Sequence, residues 1–212
     1  LYNAFFLLTR LYKKASGFPK SSGIILKGDN MKAIEYLVKE HDQITKFLDR
    51  LEEECLSILN DKSIDEEFFR ASISFIREFA DGIHHKKEED ILFKYMLEEL
   101  GVVGENVIRG GMLVEHQLAR GYVFDLENSL NSYKTKKDDK AVLQIIANSM
   151  AYVNLLRSHI DKENSTVYNF AEDRLTDDIK GKIEEESSKR LKEEELSYQR
   201  KEELLDVIFK KL

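Results

Sequence analysis

From residue 30 onward the buried-type positions follow a helical period. Ile34, Leu37, Val38, His41, Ile44, Leu48, Leu51, Cys55 and Leu59 recur at steps of three and four, the spacing that lines one face of an α-helix. Asn30 offers an N-cap, and Asn60-Asp61-Lys62 ends the run. Ser63 or Asp65 can cap a second helix, which continues to about Leu100 through Phe68, Phe69, Ile73, Ile76, Phe79, Ile83, Leu92 and Met96. Gly101 and Gly104 break it. A third helix is predicted from about Glu105 to Tyr133, then a charged connection over Lys134 to Lys140, then a fourth helix from about Ala141 to Asp173. Short connections between long helices favour antiparallel neighbours. The expectation is an all-α fold, an antiparallel four-helix bundle.

The two ends depart from this pattern. Residues 1 to 30 hold the only proline, Pro19, and the turn signal Ser21-Ser22-Gly23. Met31 begins the helical pattern and suits a translation start, so 1–30 is set apart as an N-terminal extension, non-native or disordered. Residues 31–173 form the predicted bundle. After Thr176 the chain is dominated by Glu, Lys and Arg with opposite signs three and four apart, which supports an exposed helix. Leu204, Leu205, Ile208 and Leu212 restore an apolar stripe. Residues 174–212 are therefore read as a charged C-terminal helix, either docked on the bundle by its last turns or pairing two copies into a homodimer.

Composition narrows the function. One proline and ten glycines in 212 residues leave long helices uninterrupted. The net charge of -7 gives no basic footprint, which argues against a nucleic-acid partner. The longest apolar run near the start, Ala4 to Leu8, is far below the roughly 20 residues of a membrane span, and no basic lead-in marks a signal peptide. The single cysteine, Cys55, allows no intrachain disulfide and reads as a small buried residue. Together these point to a cytoplasmic protein with no membrane partner.

Only five histidines occur, and four fall on one pattern. The first helix carries Glu40-His41, the second His84-x-x-x-Glu88, the third Glu115-His116 and the fourth His159-x-x-x-Glu163. Residues four apart in an α-helix lie one above the other, so each His-x-x-x-Glu aims an imidazole and a carboxylate at one point. The separation of 43 residues between His41 and His84 recurs between His116 and His159, and 75 residues separate both His41 from His116 and Glu88 from Glu163. The chain reads as two helical hairpins related by a pseudo-two-fold, each giving one His and one His-Glu pair. Bridging carboxylates would place negative charge between two cations, imidazoles suit iron, and no thiolate set exists. Two His and one oxygen from each bridging Glu give an iron four protein ligands. A bridging oxo or hydroxo makes five, leaving a position for dioxygen, peroxide or nitric oxide. His85 lies about 100 degrees from His84 on an α-helix and has no counterpart, position 160 being Ile, so it reads as a surface residue or a support. Glu89 reads as a flanking charge. Tyr152, seven before His159, reads as core packing, with a redox role near the site as the other reading.

These stretches resemble the hemerythrin-like family, the HHE cation-binding domain: Glu40-His41-Asp42-Gln43-Ile44, His84 to Phe93, Glu115-His116 through Arg120, and His159-Ile160-Asp161-Lys162-Glu163. The resemblance covers about residues 31 to 173. It implies a four-helix bundle around a non-haem di-iron centre, with bridging roles for Glu88 and Glu163. The metal ligands expected are His41, His84, Glu88, His116, His159 and Glu163. Oxygen-carrying members place two histidines four apart on the third helix and a His followed five later by Asp on the fourth. Here Arg120 stands four after His116 and Glu163 four after His159, which puts reversible oxygen transport in doubt. The set is more similar to that of the iron-sulfur-cluster repair and iron-sensing members, although the repair proteins carry an extra cysteine-bearing domain that this chain lacks. The function expected is reaction with, or binding of, a small oxidant in stress response or sensing. The alternative is an iron- or oxygen-responsive regulatory module without turnover.

Overall fold

The computed structural model describes residues 31–210. The readings of 1–30, of Asn30 as a cap and of Leu212 lie outside the described residues. Six helices occur among the described residues, and no strand. Helix α1 is Lys32–Asp61. Helix α2 is continuous over 66–99 and α3 over 101–136, while α4 covers 139–174. Helices α5, Asp177–Glu193, and α6, Glu195–Phe209, complete the chain. No helix among the described residues is long and apolar enough to cross a membrane.

Side-chain caps set the helix starts. Asp65 accepts from the Phe68 amide at 3.1 Å and Asp138 from the Ala141 amide at 2.8 Å, each quenching an amide with no partner inside its own helix. Between α2 and α3 the break is a single residue. Gly101 adopts φ +55°, and the chain re-enters a helix at once, four residues before the predicted start. Gly104 lies inside the new helix, where a Cβ would stand 2.5 Å from the Met96 carbonyl oxygen, so only glycine lets the corner close this tightly. The charged connection expected over Lys134 to Lys140 shrinks to 137–138: lysines propagate a helix well, and left-handed Lys137 closes it, its backbone N–H donating a hydrogen bond to the Tyr133 carbonyl.

Helices α1 to α4 form the bundle as two hairpins, α1–α2 and α3–α4, with α1 against α4 and α2 against α3. Their apolar faces make two separate clusters. One centres on Phe47, Leu51, Phe69, Phe75, Phe79, Leu126 and Tyr152. The other holds Leu37, Ile91, Phe93, Met96, Ile108, Met112 and Tyr168. Fully burying such a side chain contributes about 1.5–3 kcal/mol. Between the clusters lies a polar layer. Along α1 the order is Leu37, His41, Ile44, and along α3 it is Met112, His116, Ala119, so each helix crosses the layer at its histidine.

The single C-terminal helix expected from the charge pattern is two helices with a bend at Glu194. Helix α5 packs on α1 and on Glu88–Leu92, and α6 packs along the start of α2 and on α1. Leu204 and Ile208 are buried in the chain's own core. Polar anchors join them: the Arg50 guanidinium donates to the Ile208 carbonyl at 3.2 Å, and buried Lys201 donates to Gln43 Oε1 at 2.8 Å. Cys55 is buried, and burial pushes its thiol up to about 11. That is the inert small residue expected.

Candidate metal centre

The polar layer brings together all six residues singled out from the sequence, and it adds His85. Two groups of side chains converge. His41, His84, Glu88 and Glu163 form one; His85, Glu88, His116 and His159 form the other. In each, the ligand-type atoms lie within 4.8 Å of one another. Glu88 belongs to both. Its Oε2 is 3.8 Å from His84 Nε2 and 3.6 Å from His116 Nε2. Glu163 lies across the other diagonal, with Oε2 3.2 Å from His41 Nε2 and Oε1 3.1 Å from His159 Nε2. Each carboxylate thus spans both hairpins.

The helices widen where they carry these groups. Ile76–His85, Glu88–Leu92, Ile108–Met112 and Glu163–Val167 are π-helical. Such turns bond i to i+5 and concentrate at functional sites. Two of them begin on the glutamates themselves and sit 75 residues apart. Of the two readings of His85, a surface residue or a support, its burial removes the first. Neighbours about 100 degrees apart cannot both face one point, but here there are two points, and His84 serves one while His85 serves the other. His85 is only 2% exposed and stacks on His116 with ring centroids 3.8 Å apart.

Every imidazole is oriented from outside. Nδ1 of His84 donates to Glu40 at 2.9 Å, that of His159 to Glu115 at 2.9 Å, and that of His116 to Glu89 at 2.8 Å. Nδ1 of His41 meets Asn164 Oδ1 at 2.8 Å, and that of His85 meets Asp81 at 3.3 Å. A carboxylate can only accept, so the Nδ1 proton of His84, His85, His116 and His159 is fixed outward, and each ring turns its Nε2 toward the centre. Three of the inward nitrogens, on His41, His84 and His85, have no partner, nor do Glu88 Oε2 and both Glu163 oxygens, all of them buried. His116 Nε2 faces His159 Nε2 at 3.1 Å. Two nitrogens about 2.1 Å from one ion and at right angles would lie about 3 Å apart. Buried groups of this kind are costly unless something satisfies them. A cation fits; a hydrogen-bonded core does not.

The electrostatics agree. Burial and the charge of Glu163 raise the Glu88 carboxyl well above its ordinary range, while Glu163 is held well below despite its burial by the charges of His159 and His41. Against its own burial, His159 is pushed up to about 9 by Glu163 and Glu115. His84 falls to about 4 through burial and the neighbouring His41. The centre is short of positive charge, and its carboxylates draw it from whatever is near.

The 75-residue relation extends to the supports. Glu40 and Glu115 correspond, as do Lys87 and Lys162, and each lysine contacts its glutamate. Glu89 corresponds to Asn164, and Phe93 to Tyr168. Phe93 stacks on His116 at 6.0 Å and Tyr168 on His41 at 5.7 Å. Tyr168 adds a hydroxyl that donates to Glu88 Oε1 at 2.5 Å. The repeat offset was the sequence signal that could have found these partners, Glu89 included, which supports a ligand where a flanking charge was expected. Arg120 is spent on Asp81 at 2.8 Å and on Glu89 at 2.8 Å.

Comparison with known proteins agrees with this centre. The family model described as the hemerythrin HHE cation binding domain matches residues 32–171. Searches of curated proteins and of solved structures each give no match.

Proposed function

The chain belongs to the hemerythrin HHE cation-binding domain family, and we propose that it holds two non-haem iron ions and binds or reacts with a small oxidant, dioxygen, peroxide or nitric oxide, in stress response or sensing. One observation carries the reading: five imidazoles turn Nε2 inward around two buried carboxylates whose central oxygens lack partners. His41 and His84 would hold one ion with Glu88 and Glu163. His116, His159 and His85 would hold the other with Glu88, and the place of Glu163 between His159 and His41 supports a second bridge. When bound, an oxo- or hydroxo-bridged iron pair supplies one- and two-electron chemistry and an exchangeable position for the oxidant. The chain's own residues do the rest. Glu40, Glu89, Glu115, Asp81 and Asn164 fix ring orientation, the kind of outer support whose removal costs about 10–100-fold in metal affinity. Tyr168 holds one oxygen of Glu88 and so limits how that carboxylate can swing. The two apolar clusters exclude water from either side. Arg120, paired away at the position where oxygen carriers have a histidine, disfavours reversible oxygen transport.

The test is a titration of anaerobic, iron-loaded protein with dioxygen, peroxide and nitric oxide in turn, followed in the visible spectrum. A spectral change or turnover with at least one is expected. Silence with all three would remove the reading.

A second reading, a regulatory module, is favoured by one contact. The Glu40 carboxylate that orients His84 also contacts Lys87 and the Tyr198 hydroxyl of α6, and Lys87 reaches Tyr198 at 2.8 Å and Glu194 at 3.3 Å. Burial raises Glu40, but His84 and then Lys87 outweigh it and hold the carboxyl at about 2. A ligand histidine is thus tied to the C-terminal pair. Binding stabilises whatever geometry binds, so metal loading should slow amide hydrogen exchange across α6, and Tyr198→Phe should shrink that effect. Equal exchange with and without metal would leave α6 a passive cover.

A further inference from the structure

A cavity of about 100 Å³ opens between α2, α3 and α4 beside the metal centre. At least ~10–15 Å³ is needed to admit one water, so the space takes a small molecule readily. His85 and Tyr152 line its inner part, and Ile76, Ala119 and Val123 supply apolar walls. Arg77, its side chain 45% exposed, and the half-exposed pair Asp81 and Arg120 complete the lining and connect it with the surface.

The chemistry of the lining selects what can enter. Both arginines are already paired: Arg77 with Glu127 at 3.0 and 2.8 Å, and Arg120 with Asp81 at 2.8 Å. Asp81 also accepts from His85 Nδ1 at 3.3 Å. No unpaired charge faces the space, so an anion or cation would lose its hydration there without a counter-charge. Apart from His85 Nε2, which belongs to the metal centre, the unspent group of the lining is the Tyr152 hydroxyl, fully buried and without a hydrogen-bond partner. A lone buried donor among apolar walls suits a small uncharged molecule with an acceptor lone pair. His85, at the inner end, stacks on His116 and reaches the group of ligands on that side.

We propose that this cavity is the entry path and waiting site for a small uncharged oxidant, delivered past Tyr152 to the His85 side of the centre. The inference rests on the small-oxidant function proposed above, and it adds which side is approached and that charged ligands such as azide or nitrite are disfavoured on the way. Two measurements test it. Crystals pressurised with xenon, with or without metal, should show the gas between Ala119, Val123 and Tyr152; an empty cavity there overturns the proposal. Separately, Ala119→Leu should fill the space and slow nitric oxide association with the iron(II)-loaded protein by about tenfold or more at unchanged metal content. Val123→Leu serves the same end from the opposite wall if the first variant folds poorly. A rate within about twofold of the parent in a filled, fully loaded variant overturns the route. Should the parent protein itself not bind nitric oxide, dioxygen or peroxide, the function reading fails, and the xenon result alone decides whether the cavity admits small uncharged molecules.

Discussion

Replacing both Glu88 and Glu163 with alanine is expected to take the metal content from about two ions per chain to near zero. Removing both central carboxylates takes away the negative charge that keeps two cations side by side, and five imidazoles have no negative charge with which to replace it. In the metal-free protein the two removals act in opposite senses. Glu88 is buried and opposed by Glu163, so its loss relieves a liability. Glu163 is held charged by His159 and His41, so its loss leaves a buried imidazole without its counter-charge. The metal-free double variant should therefore melt close to the temperature of the metal-free parent. The loaded parent should exceed both, by about 2.7 kcal/mol at a metal concentration a hundred times Kd. Elemental analysis and paired thermal melts check this. Undiminished metal in the double variant would mean that the polar layer is a hydrogen-bonded core.

The second large effect belongs to the residue that the sequence placed outside the ligand set. His85→Leu should lower the metal content to about one ion per chain, because only the His116 and His159 side loses an imidazole. His41, His84, Glu88 and Glu163 stay in place, so the remaining ion should sit on that side. Leucine is close in volume and apolar, and His85 is already neutral, with burial and His116 holding its pKa well below the ordinary range. The fold should survive. Two ions retained with unchanged affinity would return His85 to the supporting role. The same measurement on His41→Leu is the complement, reporting on the opposite group.

Much of this architecture is legible in the pattern of side chains. The four bundle helices follow from apolar period, and the convergence of the six candidate ligands follows from the placement of the four histidines, the His-x-x-x-Glu spacing and its recurrence after 75 residues. What escaped shares one cause. A helical wheel assumes one fixed rotation per residue, whereas the π-turns at Ile76–His85, Glu88–Leu92 and Glu163–Val167 rotate the chain differently at the site itself. His85 is therefore buried beside the centre and not on the surface. A wheel also places only one focus inside a bundle, and two foci let adjacent residues both serve. The bend at Glu194 escaped for a different reason. A sequence of alternating charges supports a helix everywhere along its length, and only tertiary contacts such as Lys87 with Glu194 decide where the chain turns. The tie from Tyr198 to Glu40 spans 158 residues and has no local sequence signal.

The two hairpins are alike in their carboxylate supports but not in their surroundings. The Glu40 side chain is 6% exposed beneath α6, whereas the Glu115 side chain remains 18% exposed beside the exposed Lys162. The molecule consequently has a sealed flank and a wet one around a nearly symmetric heart. The carboxylate behind His159 meets bulk water, while the one behind His84 is covered and meets a tyrosine hydroxyl and a lysine ammonium instead. Two otherwise equivalent imidazoles are thereby given different acid–base neighbours, a division of labour that the internal repeat alone would not create.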